Sequence, residues 1–220
     1  MSSGILIMAR APRPGGVKTR LEPLLGHDGC ARLQAELIRH TTGWAASAAP
    51  RTWLAFTPAR TRDEVAPLVP GRVSLFPQAS GDLGARLQEA VCRIGREHAD
   101  RLIVIGTDVP LLGREHVAAA ERELGDGHDA CLVPALDGGY ALIALARATP
   151  AAFQIHPTAW GGPHVLELTI DALDRAGLET ATLEPVRDLD TPADARALLR
   201  EPGCPPALHA VLSPDQTGAS

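Results

Sequence analysis

Leu102-Ile103-Val104-Ile105-Gly106-Thr107-Asp108-Val109-Pro110 is the stretch on which the reading of the fold turns. Four successive aliphatic residues without a polar interruption describe a strand buried on both faces, which requires helices on both sides of its sheet. The run then breaks at Gly106 and ends in a carboxylate. In open α/β sheets ligands bind just beyond the carboxyl ends of the strands. Asp108 therefore stands where a bound metal and nucleotide would lie, although capping the turn before Pro110 would also justify an acid there.

The same kind of run recurs along the chain. Gly4–Ala9, Thr52–Thr57, Val73–Phe76, Ala130–Pro134, Tyr140–Leu145 and Thr180–Leu183 all read as short apolar strands. Helical periodicity lies between them. Cys30–Ala46 puts Leu33, Leu37 and Ile38 on one face, and Leu83–His98 does the same with Leu83, Leu87, Ala90, Val91 and Ile94. Arg114–Leu124 and Val165–Ala176 continue the alternation, and a last helix opens at Asp190 or Thr191 as N-cap, with Pro192 and Asp194 in its first turn. Strand-helix-strand repetition demands right-handed crossovers and a largely parallel sheet. No helix fits between Pro134 and Tyr140, so the expected fold is α/β, a three-layer, Rossmann-like arrangement with a mixed, mostly parallel sheet. Residues 1–200 are expected to form a single domain. The Pro, Ser, Gly and Asp composition after Arg200 reads as a mobile tail over residues 201–220.

Composition agrees with this class. Of 220 residues 45% are hydrophobic but only 3% aromatic, so an aliphatic core between helices and sheet is expected. The formal charge is −5 and no run of Lys or Arg occurs, which argues against a nucleic-acid backbone as partner. Cys30, Cys92, Cys131 and Cys204 form no CxxC pair and read as reduced structural thiols. The eight histidines are scattered and suggest no site. Met1 leads into an apolar strand with no basic leader, and no apolar run approaches the roughly 20 residues of a membrane span. The expected setting is the cytoplasm, with no membrane partner.

Several loops carry the candidate chemistry. The first strand runs into Ala9-Arg10-Ala11-Pro12-Arg13-Pro14-Gly15-Gly16-Val17-Lys18-Thr19-Arg20, a Pro/Gly loop with four cations at the position where doubly wound folds hold phosphates. Lys18 offers a point charge and Arg20 a planar fork, which together suit several phosphate oxygens. Ala9, Arg10, Pro14, Gly15, Gly16 and Thr107 complete the candidate nucleotide site, and a solvated charged loop is the plainer account. Asp188 and Asp190, two apart in Asp188-Leu189-Asp190-Thr191, point the same way if extended. With Asp108 they offer hard oxygen ligands to Mg²⁺ or Mn²⁺, one of the pair binding metal and the other supporting the loop or helix. Gly81-Asp82-Leu83-Gly84-Ala85-Arg86 opens a helix, with Gly84 and Arg86 either on a ligand or in the helix start alone. Asp137-Gly138-Gly139-Tyr140 permits close backbone approach to a substrate or a plain hairpin turn. Trp160 before Gly161-Gly162 either stacks on substrate or fills the core.

Taken in order, PRPGGVKTRL, GDLGARL, VIGTDVPLL, LDGGYALIAL and DLDTPADA over roughly residues 4–200 resemble the nucleotide-diphospho-sugar transferase superfamily, with its glycosyltransferase-A-like fold. Within it the chain resembles the bacterial radical-SAM/selenodomain-associated transferases, often labelled glycosyltransferases. It is also similar to phospholactate guanylyltransferase and, more distantly, to the molybdenum-cofactor guanylyltransferases. The resemblance implies that Lys18 and Arg20 handle nucleotide phosphates and that Asp108 with Asp188 or Asp190 holds Mg²⁺. The sequence departs from the wider pyrophosphorylase pattern, having no GGxSxRMG run before Lys18 and no DxD at the end of the central strand.

Two chemistries follow as expectations. Nucleotidyl transfer from a nucleoside triphosphate to a small phosphorylated or phosphonate acceptor would rest on positioning and charge neutralisation, with Lys18, Arg20 and Asp108 as the catalytic set. Glycosyl transfer from a nucleotide-sugar is the alternative, and a non-catalytic nucleotide-binding module is a third. The cation cluster of the first loop favours the triphosphate.

Overall fold

The computed structural model describes residues 3–97 and 101–213. Seven strands form one sheet in the order β3-β2-β1-β4-β6-β5-β7. They are β1 (Gly4–Arg10), β2 (Arg51–Thr57), β3 (Ser74–Pro77), β4 (Leu102–Ile105), β5 (Ala130–Pro134), β6 (Tyr140–Leu145) and β7 (Thr180–Thr182). The helices are α1 (Glu22–Ala48), α2 (Arg62–Val65), α3 (Leu83–Glu97), α4 (Arg114–Gly125), α5 (Val165–Arg175), α6 (Pro192–Leu198) and α7 (Pro206–Leu212). Every expected strand is present. The helix read as starting at Cys30 begins earlier, and Gly26 breaks its first turn. The expected end of α3 at His98 lies outside the described residues.

The inner strands β1, β2, β4, β5 and β6 are buried on both faces because their alternate side chains feed two different cores, whereas the edge strands β3 and β7 are only partly covered. Ile5, Ile7 and Ala9 of β1 join Ile38 and Ala45 of α1 and Val117, Ala120 and Leu124 of α4. Leu6 joins Leu87, Ala90, Val91 and Ile94 of α3 and Leu173 of α5 on the opposite face. Burying each such aliphatic contributes about 1.5–3 kcal/mol, so the continuous LIVI run of β4 has a direct energetic cause.

β1, β2, β3 and β4 are mutually parallel, while β6 lies antiparallel between β4 and β5. The missing helix between Pro134 and Tyr140 thus becomes a hairpin, as the sequence indicates. The chain leaves β1 toward β2 on one side, then returns through α3 to β4 on the other side. This reversal opens a crevice at the carboxyl ends of β1 and β4.

The C-terminal expectation needs correction. Residues 201–213 are not a loose tail: Pro206–Leu212 is helical, and Leu208 and Leu212 are buried with Leu21, Leu33 and Leu37. Leu208, Val211 and Leu212 repeat at helical spacing, so the segment has an apolar face to bury against α1. Residues 214–220 lie outside the described residues.

All four cysteines are free, with Cys30 and Cys131 buried. Burial, helped by Glu123, pushes the Cys131 thiol up to about 12. No helix among the described residues is long and apolar enough to cross a membrane.

Candidate active site

β1 delivers Arg10 to the edge of the crevice, and the chain then turns tightly, with Arg13 and Gly16 amides donating to Ala11 and Arg13 carbonyls at 2.9 and 3.0 Å. Lys18 follows in the left-handed region at φ 50°, the only non-glycine residue with positive φ among those described. Such a conformation costs a non-glycine residue about 1–3 kcal/mol and gathers at functional sites. Here it turns the lysine inward. Its Nζ lies 2.5 Å from Asp108 Oδ1, 3.0 Å from Asp190 Oδ1 and 2.7 Å from the Leu189 carbonyl. The side chain is only 4% exposed, so burial works to lower its pKa, but Asp108 and Asp190 outweigh this and hold the ammonium above its ordinary value.

All three N–H donors of the ammonium are therefore occupied by protein oxygens. The sequence reading put Lys18 on nucleotide phosphates. In this structure it joins two carboxylates and the Leu189 carbonyl, and a phosphate oxygen would reach it only by replacing one of these three oxygens.

The two acids come from loops that the backbone ties together, the Leu189 amide donating to the Asp108 carbonyl at 2.8 Å. Leu189 is buried, which fixes the register of the segment. Thr191, not Asp190, is the N-cap of α6: its Oγ1 accepts from the Asp194 amide, and Asp194 bonds back to the Thr191 amide. Asp190 is free of capping and sits with Asp108 on Lys18, whereas Asp188 has no such contact. Burial, followed by the charges of Asp137, Asp190 and Asp194, raises the Asp188 carboxyl above its ordinary value.

Two hollows meet at this pair. The first, about 440 Å³, is lined by Arg10, Gly16, Lys18, Arg20, Gln34 and Thr107. The second, about 360 Å³, is walled by Leu83, Leu87, Tyr140, Trp160 and Val165, with Asp137 and Asp188 among them. Met8, Asp108 and Asp190 line both. One hollow is cationic and polar; its neighbour is apolar and acidic.

Of the other expected residues, some line the cleft and some stand outside it. Arg20 lines the first hollow with a largely exposed side chain, 3.8 Å from Asp190 Oδ2. Arg13 turns away to pair with Glu64. Ala9 is buried behind the wall, and neither it nor Pro14 and Gly15 line either hollow. Arg86 stands near enough to Arg10 that, after burial, the like charge further lowers its pKa, and its Nη1 donates to Gln78 Oε1 at 3.2 Å.

Two glycines turn out to serve packing. A Cβ on Gly84 would meet Trp160 Nε1 at 2.5 Å, so this glycine lets α3 close on the indole. Gly138, at φ 91°, would place a Cβ 2.0 Å from the Pro163 carbonyl oxygen. At Gly138 the close approach is thus to the chain itself, whereas Asp137, Gly139 and Tyr140 line the second hollow.

Gln34 was missed. It is 3% exposed, and its Nε2 donates to the Arg10 carbonyl and to Thr107 Oγ1, both at 3.2 Å, tying α1 to the ends of β1 and β4. The available signal was a single amide on the apolar face otherwise made by Leu33, Leu37 and Ile38.

A divalent ion fits the donor set in part. Among the described residues no group of three or more His, Cys, Asp or Glu is close enough to cage a metal. Two carboxylates already converge on one cation, however, and Mg²⁺ commonly takes one or two carboxylates with phosphates and water completing its shell.

Comparison places this geometry among known proteins. A family model described as "Uncharacterized protein conserved in bacteria (DUF2064)" matches residues 41–161, which include Asp108 and Trp160 but neither Lys18 nor Asp190. No curated protein matches the chain. A crystal structure from Desulfovibrio desulfuricans G20, provisionally named a nucleotide-diphospho-sugar transferase, superposes with a TM-score of 0.84 at 28% identity, covering 97% of this chain and 95% of that one. A 4-diphosphocytidyl-2C-methyl-D-erythritol synthase gives 0.61 at 15% identity, over 90% and 97% of the two chains. CMP:2-keto-3-deoxy-manno-octonic acid synthetase, solved with CTP, gives 0.54 at 17% over the same shares. The last two show likeness of fold. The architecture is that of the nucleotide-diphospho-sugar transferases.

Proposed function

This chain belongs to the DUF2064 family, and we propose that it transfers a nucleotidyl group from a nucleoside triphosphate to a phosphate or phosphonate oxygen of a small acceptor, with release of pyrophosphate. The acceptor oxygen attacks the α-phosphorus, a new P–O–P linkage forms, and the bond to the β-phosphate breaks. No covalent nucleophile on the protein is required. The observation that carries this reading is the buried ammonium of Lys18 between Asp108 and Asp190 at the junction of the two hollows. One compartment fits a polyphosphate, the other an acceptor, and the bond to be made lies between them.

Arg10 and Arg20 would orient the phosphate chain in the first hollow, with the Gly16–Thr19 backbone beside them. Lys18 would exchange one carboxylate for a phosphate oxygen and so meet the charge that grows as pyrophosphate departs. The junction itself is acidic, with Asp108 and Asp190 against one buried cation and Asp188 in the adjoining hollow, so a triphosphate needs further positive charge to enter. Asp108 and Asp190 are the residues that would hold Mg²⁺ or Mn²⁺, and such an ion would supply charge neutralisation at the phosphate oxygens. The motif likeness to phospholactate guanylyltransferase supports the same chemistry.

Glycosyl transfer is the second reading. Trp160 and Tyr140 beside Asp108 would suit the sugar of a nucleotide-sugar, and the 28%-identical neighbour carries that kind of name. The deciding experiment supplies Mg²⁺ with each nucleoside triphosphate and a set of phosphonate acceptors, and in parallel each nucleotide-sugar. Acceptor-dependent pyrophosphate release supports nucleotidyl transfer. Cleavage of a nucleotide-sugar, with no pyrophosphate from any triphosphate, would replace it by glycosyl transfer.

A further inference from the structure

The two hollows differ in charge, and the difference bears on the acceptor. Besides its aliphatic walls, the second hollow holds the only tyrosine of the sequence and one of its three tryptophans. Its charged residues are Asp108, Asp137, Asp188 and Asp190, and no Lys, Arg or His lines it. The first hollow, by contrast, is lined by Arg10, Lys18 and Arg20.

Asp108 and Asp190 are already engaged by Lys18. Asp137 accepts only from the Gly139 amide, at 2.8 Å, and neither it nor Asp188 has an ion-pair partner among the described residues. Asp137 is exposed and Asp188 half-buried, so each can stay charged, and two unpaired carboxylates in one hollow disfavour a second anion nearby. A cation, on the other hand, gains from the carboxylates and from the neighbouring aromatic rings of Trp160 and Tyr140 that line the same hollow.

We infer that the second hollow receives the cationic end of a zwitterionic acceptor, a small phosphonate or phosphate monoester that carries an amine. Its anionic end then lies at the junction by Lys18, and its ammonium lies between Asp137, Asp188 and the aromatic rings. The amine takes no part in bond making. This assignment rests on the nucleotidyl-transfer reading for its reaction, and on the charge and shape of the hollow for the acceptor class.

Three phosphonates with the same ethylene spacer test it: 2-aminoethylphosphonate, propylphosphonate and 3-phosphonopropionate, with cationic, neutral and anionic tails. With nucleoside triphosphate and Mg²⁺ present, kcat/KM for pyrophosphate release should favour the amine over the neutral tail by about 10-fold, the scale of one charge-assisted hydrogen bond, and over the anionic tail by about 100-fold or more. D137N keeps an oxygen for the Gly139 amide but removes the charge, and should narrow the gap between amine and neutral tails to about threefold. Equal or better use of the anionic tail, or full discrimination surviving in D137N, overturns the inference while leaving nucleotidyl transfer standing. Calorimetric binding of the same three compounds in the presence of nucleotide reads the tail preference without turnover. No pyrophosphate with an amine preference intact would therefore count against the reaction alone, and equal affinities would count against the hollow.

Discussion

Lys18 Nζ lies 2.5 Å from Asp108 Oδ1 with the lysine buried and the Asp108 side chain 54% exposed, so the ion pair is sealed from the protein side and open from the cleft. Its chemistry is asymmetric: the cation is fixed, and the carboxylate retains access to a ligand. Lys18→Met should leave Asp108 and Asp190 facing each other without their buried counter-ion. Breaking a fully buried pair costs about 3–5 kcal/mol, and because both acids here reach solvent the loss expected is about 1–3 kcal/mol by urea denaturation. Mg²⁺ should recover part of it. Lys18→Gly should lose less than Lys18→Met, because glycine adopts φ 50° without strain. Both should lower kcat about 100-fold or more, the scale of one preorganised charge-stabilising group. Unchanged stability in Lys18→Met would mean that the pair contributes nothing to the fold.

Gly138→Ala tests the docking of the β5–β6 turn. The added methyl would fall 2.0 Å from the Pro163 carbonyl oxygen at a φ of 91°, so the turn must either move or strain. A loss of roughly 2–4 kcal/mol is expected, combining positive-φ strain with displaced packing. The Leu166 amide, which donates to the Gly138 carbonyl at 3.0 Å, should then lose hydrogen-exchange protection. A variant as stable as the parent would show that the turn is not held against the 161–163 segment.

How much of this was legible in the sequence depends on the range of the forces involved. The LIVI run of β4 and the mixed sheet follow from local pattern, because a strand covered on both faces cannot hide a polar residue and Pro134 to Tyr140 is too short for a crossover. The importance of Asp108 follows from its place at a strand end. Lys18 was legible as a site residue but not in its orientation, since what turns it inward is a carboxylate 172 positions away. Gly84 and Gly138 look like ligand-facing glycines until Trp160 and Pro163 are in place. The helix at Pro206–Leu212 was hidden by flanking prolines and glycine, although its three apolar residues carry the period.

His40 supplies a pH dependence of stability. Its Nε2 donates to the Pro110 carbonyl at 3.0 Å, and burial, only partly opposed by that bond, lowers its pKa below the ordinary 6.5. The unfolded chain then binds more protons than the folded one as pH falls through that value. Stability from this group is complete above about pH 6.5 and is lost as the pH drops toward the folded pKa. Between pH 7 and pH 5 the unfolding free energy should fall, and His40→Gln should flatten part of that slope. An identical slope in the variant would assign the acid sensitivity to other groups.

The last prediction separates metal chemistry from structure at Asp108. Its carboxylate is more than half exposed and belongs to a strand-end loop, so it contributes little to the core beyond its contact with Lys18. Asp108→Asn keeps an oxygen for the ammonium and the backbone tie from Leu189, and melting should stay within a few degrees of the parent, matching a change of about 1 kcal/mol. If Asp108 and Asp190 hold the ion that brings in the triphosphate, activity and Mn²⁺ affinity should both collapse in the variant, and EDTA should abolish nucleotide binding by the parent until Mg²⁺ is returned. Mn²⁺ binding followed by paramagnetic resonance reads the site without turnover. Tight nucleotide binding in metal-free buffer would leave Arg10, Lys18 and Arg20 as sufficient counter-charge, and the acidic pair would then be a device for orienting Lys18 rather than a metal site.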